Sequence, residues 1–148
     1  YGNNTFGGDN VAIRYRGIEH PFGNYWMWLD GINVNDAMTY TCNNPAYFAY
    51  DTATNYTYIG DKIQAEGWIS KHMFSTNGDI IPVAVNGSES TYMCDYYWYN
   101  TGWRVAYVGG LFRDGSDAGL GCVAANLVSS DVYTFIGARL CYIPGLDW

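Results

Sequence analysis

The sequence is poor in basic residues. Its 148 residues include 7 Lys and Arg against 14 Asp and Glu, which gives a formal net charge of −7. Binding to nucleic acid depends on clusters of basic side chains that neutralise phosphates, and attraction to an anionic membrane surface depends on the same charges. The shortage of Lys and Arg therefore argues against a nucleic-acid partner and against an anionic membrane surface.

Long apolar runs are also missing. No run approaches the ~20 residues that a membrane-spanning helix needs, and the chain does not open on the charged, apolar and small-residue pattern of a signal peptide. We therefore expect no membrane insertion. The first residue is Tyr, which favours an excised domain or a processed product. The length predicts a single domain over residues 1–148, in which roughly 70% of the unfolded surface would be buried.

Cysteine and histidine are few and scattered. The four cysteines, Cys42, Cys94, Cys122 and Cys141, show no C-x-x-C spacing, which argues against a zinc ribbon and a redox pair. A bridge between Cys42 and Cys94 stays open, because sequence alone does not give the distance that a disulfide requires. His20 and His72 lie in no metal or triad spacing. We expect both histidines on the surface or in loops.

One oxygen-rich cluster could hold calcium. It comprises Asp30, Asn33, Asn35 and Asp36. The spacing of an EF-hand and its closing Glu are absent, so a solvated turn is the preferred interpretation. The sequence thus predicts no metal, no cofactor and no catalytic residues, and the protein is expected not to be an enzyme.

Glycine and aromatic residues are abundant. The 18 Gly, with many Asn, Asp, Ser and Thr, interrupt the chain every few residues, and no helical stripe exceeds about ten residues. We predict short strands, long loops and little helix. The predicted strands are 11–15, 105–108, 120–125 and 135–143, with the first and last paired at the centre of a sheet. The Tyr- and Asn-rich stretch 39–101 is predicted to be long loop or insertion with little regular structure.

The segment from Val105 to Leu140 interleaves a regular frame with side chains that follow no chemical theme. The frame is Trp103, Arg104, Gly109, Gly110, Gly115, Ala118, Gly119, Gly137, Arg139 and Leu140. The segment lacks Lys, Glu, Gln, Met and Trp, the residues whose codons end only in a purine. Randomising the first two bases of codons that end in a pyrimidine would produce this composition, and chance depletion is the alternative.

Two groups of motifs carry a resemblance. Gly23-Asn24-Tyr25-Trp26-Met27-Trp28 resembles the G-N-V-W-E-W signature of the formylglycine-generating-enzyme branch of the C-type lectin fold. The residues Arg104, Gly109-Gly110 and Gly137-Ala138-Arg139-Leu140 match the R, G-G and closing G-F-R-L pattern of that branch in order. The resemblance implies an α+β, C-type lectin-like fold of this subtype, with short twisted antiparallel strands, long loops and low helix content.

The motif residues have physical roles in such a fold. Trp26 and Trp28 are expected to wedge a sheet against loops, since each offers a large buried area and an indole donor. Gly109-Gly110 and Gly137 would allow positive φ or close approach of the backbone. Arg139, expected inside an apolar strand, would need an acidic or carbonyl partner.

The C-terminal frame is similar to that of the variable proteins of diversity-generating retroelements. The matching elements are W-R, G-G, G-x-x-A-G and G-x-R-L, and the stretches 14–19 and 28–33 further resemble phage structural proteins of this group. The resemblance implies a non-catalytic ligand-binding domain, a receptor-binding protein or adhesin, whose variable region at about 105–136 is diversified to change specificity. It would act on a virion, at the phage tail, or on a bacterial cell surface.

The implied partner is a bacterial surface receptor or another macromolecular target, either protein or glycan. Related proteins display the fold singly or as a homotrimer. The alternative is a virion structural or decoration domain that uses the same scaffold for assembly. The enzymes related to this scaffold use paired reactive cysteines or three metal-binding histidines, and this chain matches neither pattern.

The variable region supplies the candidate ligand-binding residues. They are Tyr107, Leu111, Arg113, Asp114, Ser116, Asp117, Cys122, Ala124, Asn126, Tyr133 and Phe135. Tyr107, Tyr133 and Phe135 are expected to be anchors, whereas Arg113 and Asp114 would provide electrostatic complementarity. Ala124 and Phe135 could instead be half-buried strand residues. In the run Tyr96–Tyr99, alternate members are expected in the core, although an aromatic rim beside the variable face stays open.

Overall fold

The structure, a computed structural model, describes residues 14–15, 18–75 and 78–139. The protein is mostly β, with 42% strand and 5% helix, and the helix in the described residues consists of two 3-10 turns, Pro45–Tyr47 and Gly115–Asp117. The strands are β1 (Arg14–Tyr15), β2 (Ile18–Glu19), β3 (Trp26–Asn35), β4 (Met38–Thr41), β5 (Thr57–Asp61), β6 (Gly67–Trp68), β7 (Lys71–Phe74), β8 (Ile80–Ala84), β9 (Tyr96–Tyr99), β10 (Trp103–Val108), β11 (Val123–Leu127) and β12 (Ile136–Gly137). The predicted short strands and low helix content are confirmed. The α part of the predicted α+β class is not, since the described residues contain no α-helix.

One curled sheet organises the chain. Its strand order is β5-β4-β3-β10-β11-β9-β6, and β12 pairs with the start of β3. The pairs β11–β9 and β12–β3 are parallel, while the other neighbours are antiparallel. Two separate hairpins, β1–β2 and β7–β8, accompany the sheet.

The central strand β3 contains a wide bulge. Asn33 is paired with Val105 and Trp28 with Tyr107, so four residues of β3 oppose a single residue of β10. Gly31 lies in the bulge at φ +78°, and a Cβ there would stand 2.6 Å from the carbonyl oxygen of Cys42. Only glycine fits this close approach without strain, and the bulge lets β3 change direction under the loops.

Two cores lie on opposite sides of the sheet, because successive strand residues point to opposite faces. We call the cluster of Trp26, Tyr107, Leu111, Cys122 and Ala124 the first core, and the cluster of Val34, Ile69, Tyr97 and Ala125 the second core. Tyr97 is fully buried while its neighbours in β9 are half-buried. Trp98 packs against the first core. The alternation expected for this run is confirmed.

The prediction of a long loop over 39–101 is wrong. Six strands, β4 to β9, lie largely within it. Tyr and Thr suit a pleated, half-buried surface, and strands of two to five residues are too short to show the alternation that sequence reading relies on. The predicted strand 105–108 lies within β10. The predicted strand 120–125 begins only at Val123, because Cys122 N–H donates to Gly119 O in a turn (3.2 Å).

The predicted pairing of the first and last strands is not found among the described residues, and it stays a prediction where the two strands lie outside them. In the described residues, the late strand is limited to β12, which pairs with β3, and β1 pairs with β2. Residues 11–13 and 140–143 of the predicted strands lie outside the described residues. Arg139 is exposed instead of buried, but its Nη2 does donate to a carbonyl, that of His20, at 2.8 Å.

The cysteines, Gly137 and His72 also differ in part from what the sequence predicts. Cys42 and Cys94 are free thiols, so they form no bridge, while Cys141 lies outside the described residues. Gly137 has no contact within 4 Å of a built Cβ and is not at positive φ, so nothing in the fold requires glycine there. His72, predicted to lie on the surface or in a loop, lies instead in strand β7 and is half-buried.

Candidate ligand-binding face

A continuous series of aromatic rings lies beneath the variable region. It runs Trp68, Tyr96, Trp98, Trp26, Tyr107 and Trp28, with neighbouring ring centroids 4.7–5.3 Å apart. These rings come from strands β6, β9, β3 and β10, so the series ties four strands together. Each such pair contributes about 0.5–1.5 kcal/mol beyond area burial. Trp26 and Trp28 therefore pack the sheet against the loops, as expected.

The loop 109–122 begins with a close backbone approach. Gly109 and Gly110 have φ of +100° and +73°. The carbonyl of Gly109 accepts a hydrogen bond from Gly23 N–H at 2.7 Å. A Cβ at position 110 would lie 2.5 Å from the Cβ of Ala118. These two glycines let the loop fold back on the first core.

Two carboxylates of the loop hold it from within. Asp114 Oδ2 accepts from Leu111 N–H at 2.6 Å and also interacts with the Trp26 indole. Asp117 Oδ1 accepts from Trp68 Nε1 at 3.0 Å. Burial raises the pKa of Asp114, and the Leu111 hydrogen bond opposes this effect. Both carboxylates therefore have structural partners.

A third carboxylate enters the loop from outside. Asp95 Oδ2 accepts from Gly121 N–H at 2.8 Å, and a Cβ at Gly119 would lie 1.8 Å from Asp95 Oδ1. Burial raises the pKa of Asp95. His72 lies nearby, and burial lowers the pKa of its imidazole while Asp95 raises it. The space for this carboxylate exists because positions 119 and 121 lack side chains.

Four of the eleven candidate residues are buried, contrary to the expectation of a shared exposed face. Tyr107, Leu111, Cys122 and Ala124 are 0–6% exposed and form the first core with Trp26. Tyr107 and Ala124 are register partners on β10 and β11, which places both side chains under the loop. Burial also raises the pKa of the Cys122 thiol. No ligand reaches these side chains while the loop stays folded over them.

The other seven candidates lie at or near the surface. Arg113, Ser116 and Tyr133 are exposed, whereas Asp114, Asp117, Asn126 and Phe135 are half-buried. The Arg113 guanidinium lies over the Phe135 ring at 5.6 Å, and Phe135 stacks on Tyr133 with centroids 5.0 Å apart. Asn126 Oδ1 instead accepts the hydroxyl of Tyr107. The structure thus brings Arg113, Phe135 and Tyr133 together as one surface cluster.

Sequence reading missed three exposed apolar side chains in the same region. Phe112, Leu120 and Val132 are 46%, 69% and 90% exposed. The sequence predicts Leu111 as a binding residue, but its neighbour Phe112 is the exposed one. The bridge between Asn24 and Leu111 and the bond from Phe112 N–H to Asn24 O hold the segment with Leu111 inward, and these contacts are distant in sequence. Asp95 and Trp68 were missed as well, since they are distant in sequence from the loop they hold.

The oxygen-rich cluster of Asp30, Asn33, Asn35 and Asp36 was predicted to be a solvated turn, and two of its members have structural roles instead. Asn33 is buried, and its Nδ2 donates to the carbonyls of Ala49 and Thr52 at 2.7 and 3.0 Å. Asp36 Oδ1 accepts from Gly102 N–H at 2.8 Å. Across the described ranges, no three His, Cys, Asp or Glu side chains are grouped so that they could hold a metal ion. In the same ranges, no helix is long and apolar enough to cross a membrane.

No protein-family model matches the chain, and no curated protein matches it.

Proposed function

We propose that this protein is a non-catalytic ligand-binding domain with a C-type lectin-like fold of the formylglycine-generating-enzyme subtype. Its variable region would be diversified by a retroelement to change the target. The target would be a bacterial surface receptor or another macromolecule, reached from a virion or from a bacterial surface. The motif resemblance and the β-rich curled sheet support this proposal.

One observation carries the proposal. The loop 109–122 is held by the buried first core and by two half-buried groups, the indole of Trp68 and the carboxylate of Asp95. Arg113 and Ser116 protrude from the same loop and are exposed. A surface of this kind can change its outer side chains while its backbone stays in place, which is what a diversified binding domain requires.

The structure narrows the set of residues that could vary freely. Asp114, Asp117 and Asn126 have structural hydrogen-bond partners, so they belong with the support. Phe135 is half-buried and packs against the first core. The outward set therefore consists of the exposed residues Phe112, Arg113, Ser116, Leu120, Val132 and Tyr133. A typical specific interface uses about 20–30 residues per partner. Six residues therefore supply a minor part of the footprint, and neighbouring loops must supply the rest.

Binding to intact cells tests the proposal directly. The fluorescently labelled chain would be incubated with a panel of gut and environmental bacteria and analysed by flow cytometry. We expect binding to a few strains, and a drop of at least about tenfold in the Arg113→Ala/Tyr133→Ala double variant, because central anchors dominate an interface. Tyr92→Ala is the matched control, since Tyr92 is fully exposed outside the variable region.

Either of two results would contradict this function. One is the absence of binding to any strain, and the other is binding that the double variant leaves unchanged. Unfolding curves of both variants must match the wild type, so that lost binding is not lost folding.

The gene neighbourhood tests diversification separately. A reverse transcriptase gene and a near-identical template repeat would be expected, with differences at template adenines concentrated in codons of the outward set. A unique variable segment without a second copy would favour the alternative, a virion decoration domain that uses the scaffold for assembly.

A further inference from the structure

The charged side chains of the variable region differ in what they contact. Residues 105–136 contain three carboxylates and one guanidinium. Asp114, Asp117 and Asp131 each accept a hydrogen bond from an N–H group of the protein itself, at 2.6–3.0 Å. Burial raises the pKa of Asp114 and the charge of Arg113 lowers it, but the two side chains form no ion pair in the described part of the chain. The exposed charge of this region is therefore the guanidinium of Arg113.

Two stacked rings position the guanidinium. Its carbon lies 5.6 Å from the centroid of the Phe135 ring, and Phe135 stacks on Tyr133 with centroids 5.0 Å apart and planes at 26°. We call Arg113, Tyr133 and Phe135 the Arg113 cluster. An aromatic ring attracts a cation without using its N–H donors, so those donors stay available to a ligand.

The two chain segments of the Arg113 cluster are joined through a shared piece of backbone. Phe112 N–H donates to Asn24 O at 3.2 Å, and Trp26 N–H donates to Phe135 O at 3.1 Å. Trp26 is 5% exposed and belongs to the first core. Residues 111–113 and 133–135 therefore form one surface whose backbone is already fixed, which lowers the entropy that a ligand must offset.

Apolar side chains continue this surface on both segments. Phe112, beside Arg113, and Val132, beside Tyr133, are 46% and 90% exposed. In the outward set, the side chains that can form hydrogen bonds are Arg113, Tyr133 and Ser116, and there is no Asp, Asn, Glu or Gln. A glycan needs several such groups to pair its many hydroxyls. Protein interfaces are instead rich in Arg and aromatic residues and poor in Lys, Glu and Asp, so the composition favours a protein ligand.

We propose that the Arg113 cluster binds a protein that presents an Asp or Glu carboxylate bordered by apolar side chains. The carboxylate accepts two parallel N–H bonds from the guanidinium, whose planar fork fits that geometry. The apolar neighbours pack on Phe112 and Val132. Nucleic acid and anionic membranes do not fit, because one exposed cation does not offset the repulsion from a chain of net charge −7. The inference rests on the function proposed above and specifies the chemistry of the target.

Cells of a strain that binds the labelled chain are the probe, and flow cytometry over a range of chain concentrations is the measurement. Proteinase K removes surface proteins and should weaken binding at least about tenfold, because the anchors of the interface are lost. Periodate cleaves the diols of glycans and should leave binding unchanged. Amidation of the surface carboxyls with a carbodiimide and an amine should weaken binding as much as Proteinase K does.

Three substitutions of Arg113 test the role of its charge and shape. Arg113→Lys keeps the charge without the fork, Arg113→Gln removes the charge, and Arg113→Glu reverses it. We expect binding to weaken about threefold, about tenfold and at least about 100-fold in that order. Raising NaCl from about 0.1 M to about 1 M should weaken binding of the wild type, and Arg113→Gln should lose most of this salt dependence. Lys71→Gln is the matched control, since Lys71 is an exposed cation outside the variable region.

Arg113 is exposed, so its substitutions should leave urea unfolding unchanged, which separates a lost contact from lost folding. The inference alone is overturned if cells bind the chain but periodate, not Proteinase K, removes the binding, which would assign a glycan. It is also overturned if carboxyl amidation has no effect or if Arg113→Glu binds as the wild type does. If no strain binds the wild type, the proposed function fails and the inference fails with it.

Discussion

The two sides of the sheet differ in how their buried polar groups are satisfied. On the side of the first core, the hydroxyl of Tyr107 bonds to Asn126 and the indole of Trp68 bonds to Asp117. Around the second core, Lys62 Nζ, Thr39 Oγ1 and the Tyr97 hydroxyl have no hydrogen-bond partner within the described part of the chain. The support of the loop 109–122 has one such atom, His72 Nε2 beside Asp95, so among the described residues it has fewer unpaired buried polar atoms than the second core. A rigid support of this kind suits a surface whose outer residues change.

The largest expected effect tests whether the glycines of the first side are structural. Gly110→Ala places a Cβ 2.5 Å from Ala118 Cβ at a φ of +73°. We expect a loss of about 4 kcal/mol in the free energy of unfolding, from the left-handed backbone and from overpacking. Gly137→Ala is the matched control, because its Cβ would meet nothing, and it should change stability by less than about 0.5 kcal/mol. Urea unfolding followed by Trp fluorescence measures both. Equal losses of stability in the two variants would show that Gly110 is not required by the close contact with Ala118.

A smaller effect separates inward from outward residues of the variable region. Leu111→Ala removes a side chain that is 3% exposed, and Leu120→Ala makes the same change at a side chain that is 69% exposed. We expect a loss of about 3 kcal/mol for Leu111→Ala from cavity formation and about 0.5 kcal/mol or less for Leu120→Ala. Thermal and urea unfolding of the pair measure this difference. If Leu111→Ala were as well tolerated as Leu120→Ala, the separation of support from variable surface would fail.

The smallest effect concerns the second side. Lys62 is 5% exposed, and its Nζ lies 4.0 Å from the centroid of the Tyr99 ring. Burial lowers the pKa of Lys62 from 10.5 to about 8. The folded state therefore favours the neutral amine. Above pH 10.5 the amine is neutral in both the folded and the unfolded chain, so its burial carries no charge penalty. As the pH falls towards 8 the unfolded chain takes up the proton first, and the free energy of unfolding decreases.

Lys62→Met should consequently stabilise the protein at neutral pH by about 1–2 kcal/mol. It should also remove the rise in the free energy of unfolding between about pH 8 and 10. Urea unfolding at a series of pH values measures both effects. Wild-type stability that stays flat over this interval would mean that the amine is paired, and the contrast between the two sides would then be lost.

The sequence predicted the class of secondary structure better than it predicted which individual residues are buried or exposed. Abundant glycine and the lack of helical periodicity correctly indicated a β-rich, loop-rich fold, and the apolar run at 105–108 marked a strand. The tryptophans of the 23–28 motif were correctly expected to pack the sheet against loops. These features are local, so residue type and spacing alone indicate them.

The misplaced residues depend on contacts between distant parts of the chain. Leu111 faces inward because its segment pairs with Asn24. Cys122 is buried because Asp95 and the glycines beside it turn the chain inward. The residues 39–101 form strands because each short segment finds a partner, either in the curled sheet or, for β7 and β8, in a separate hairpin. Such pairings are not encoded in any short window, so the sequence could not divide the variable region into support and surface.

The pairing of β12 with β3 has a consequence for biosynthesis. Ile136 lies beside Trp26, so one of the strands first made by the ribosome gains this neighbour only when more than a hundred further residues have been translated. Contacts between such distant residues slow folding, because a large loop must close before they form. Until then the start of β3 presents an unpaired edge, and the nascent chain is exposed to wrong pairing. Deleting residues 136–139 should leave that edge open permanently and favour aggregation during expression.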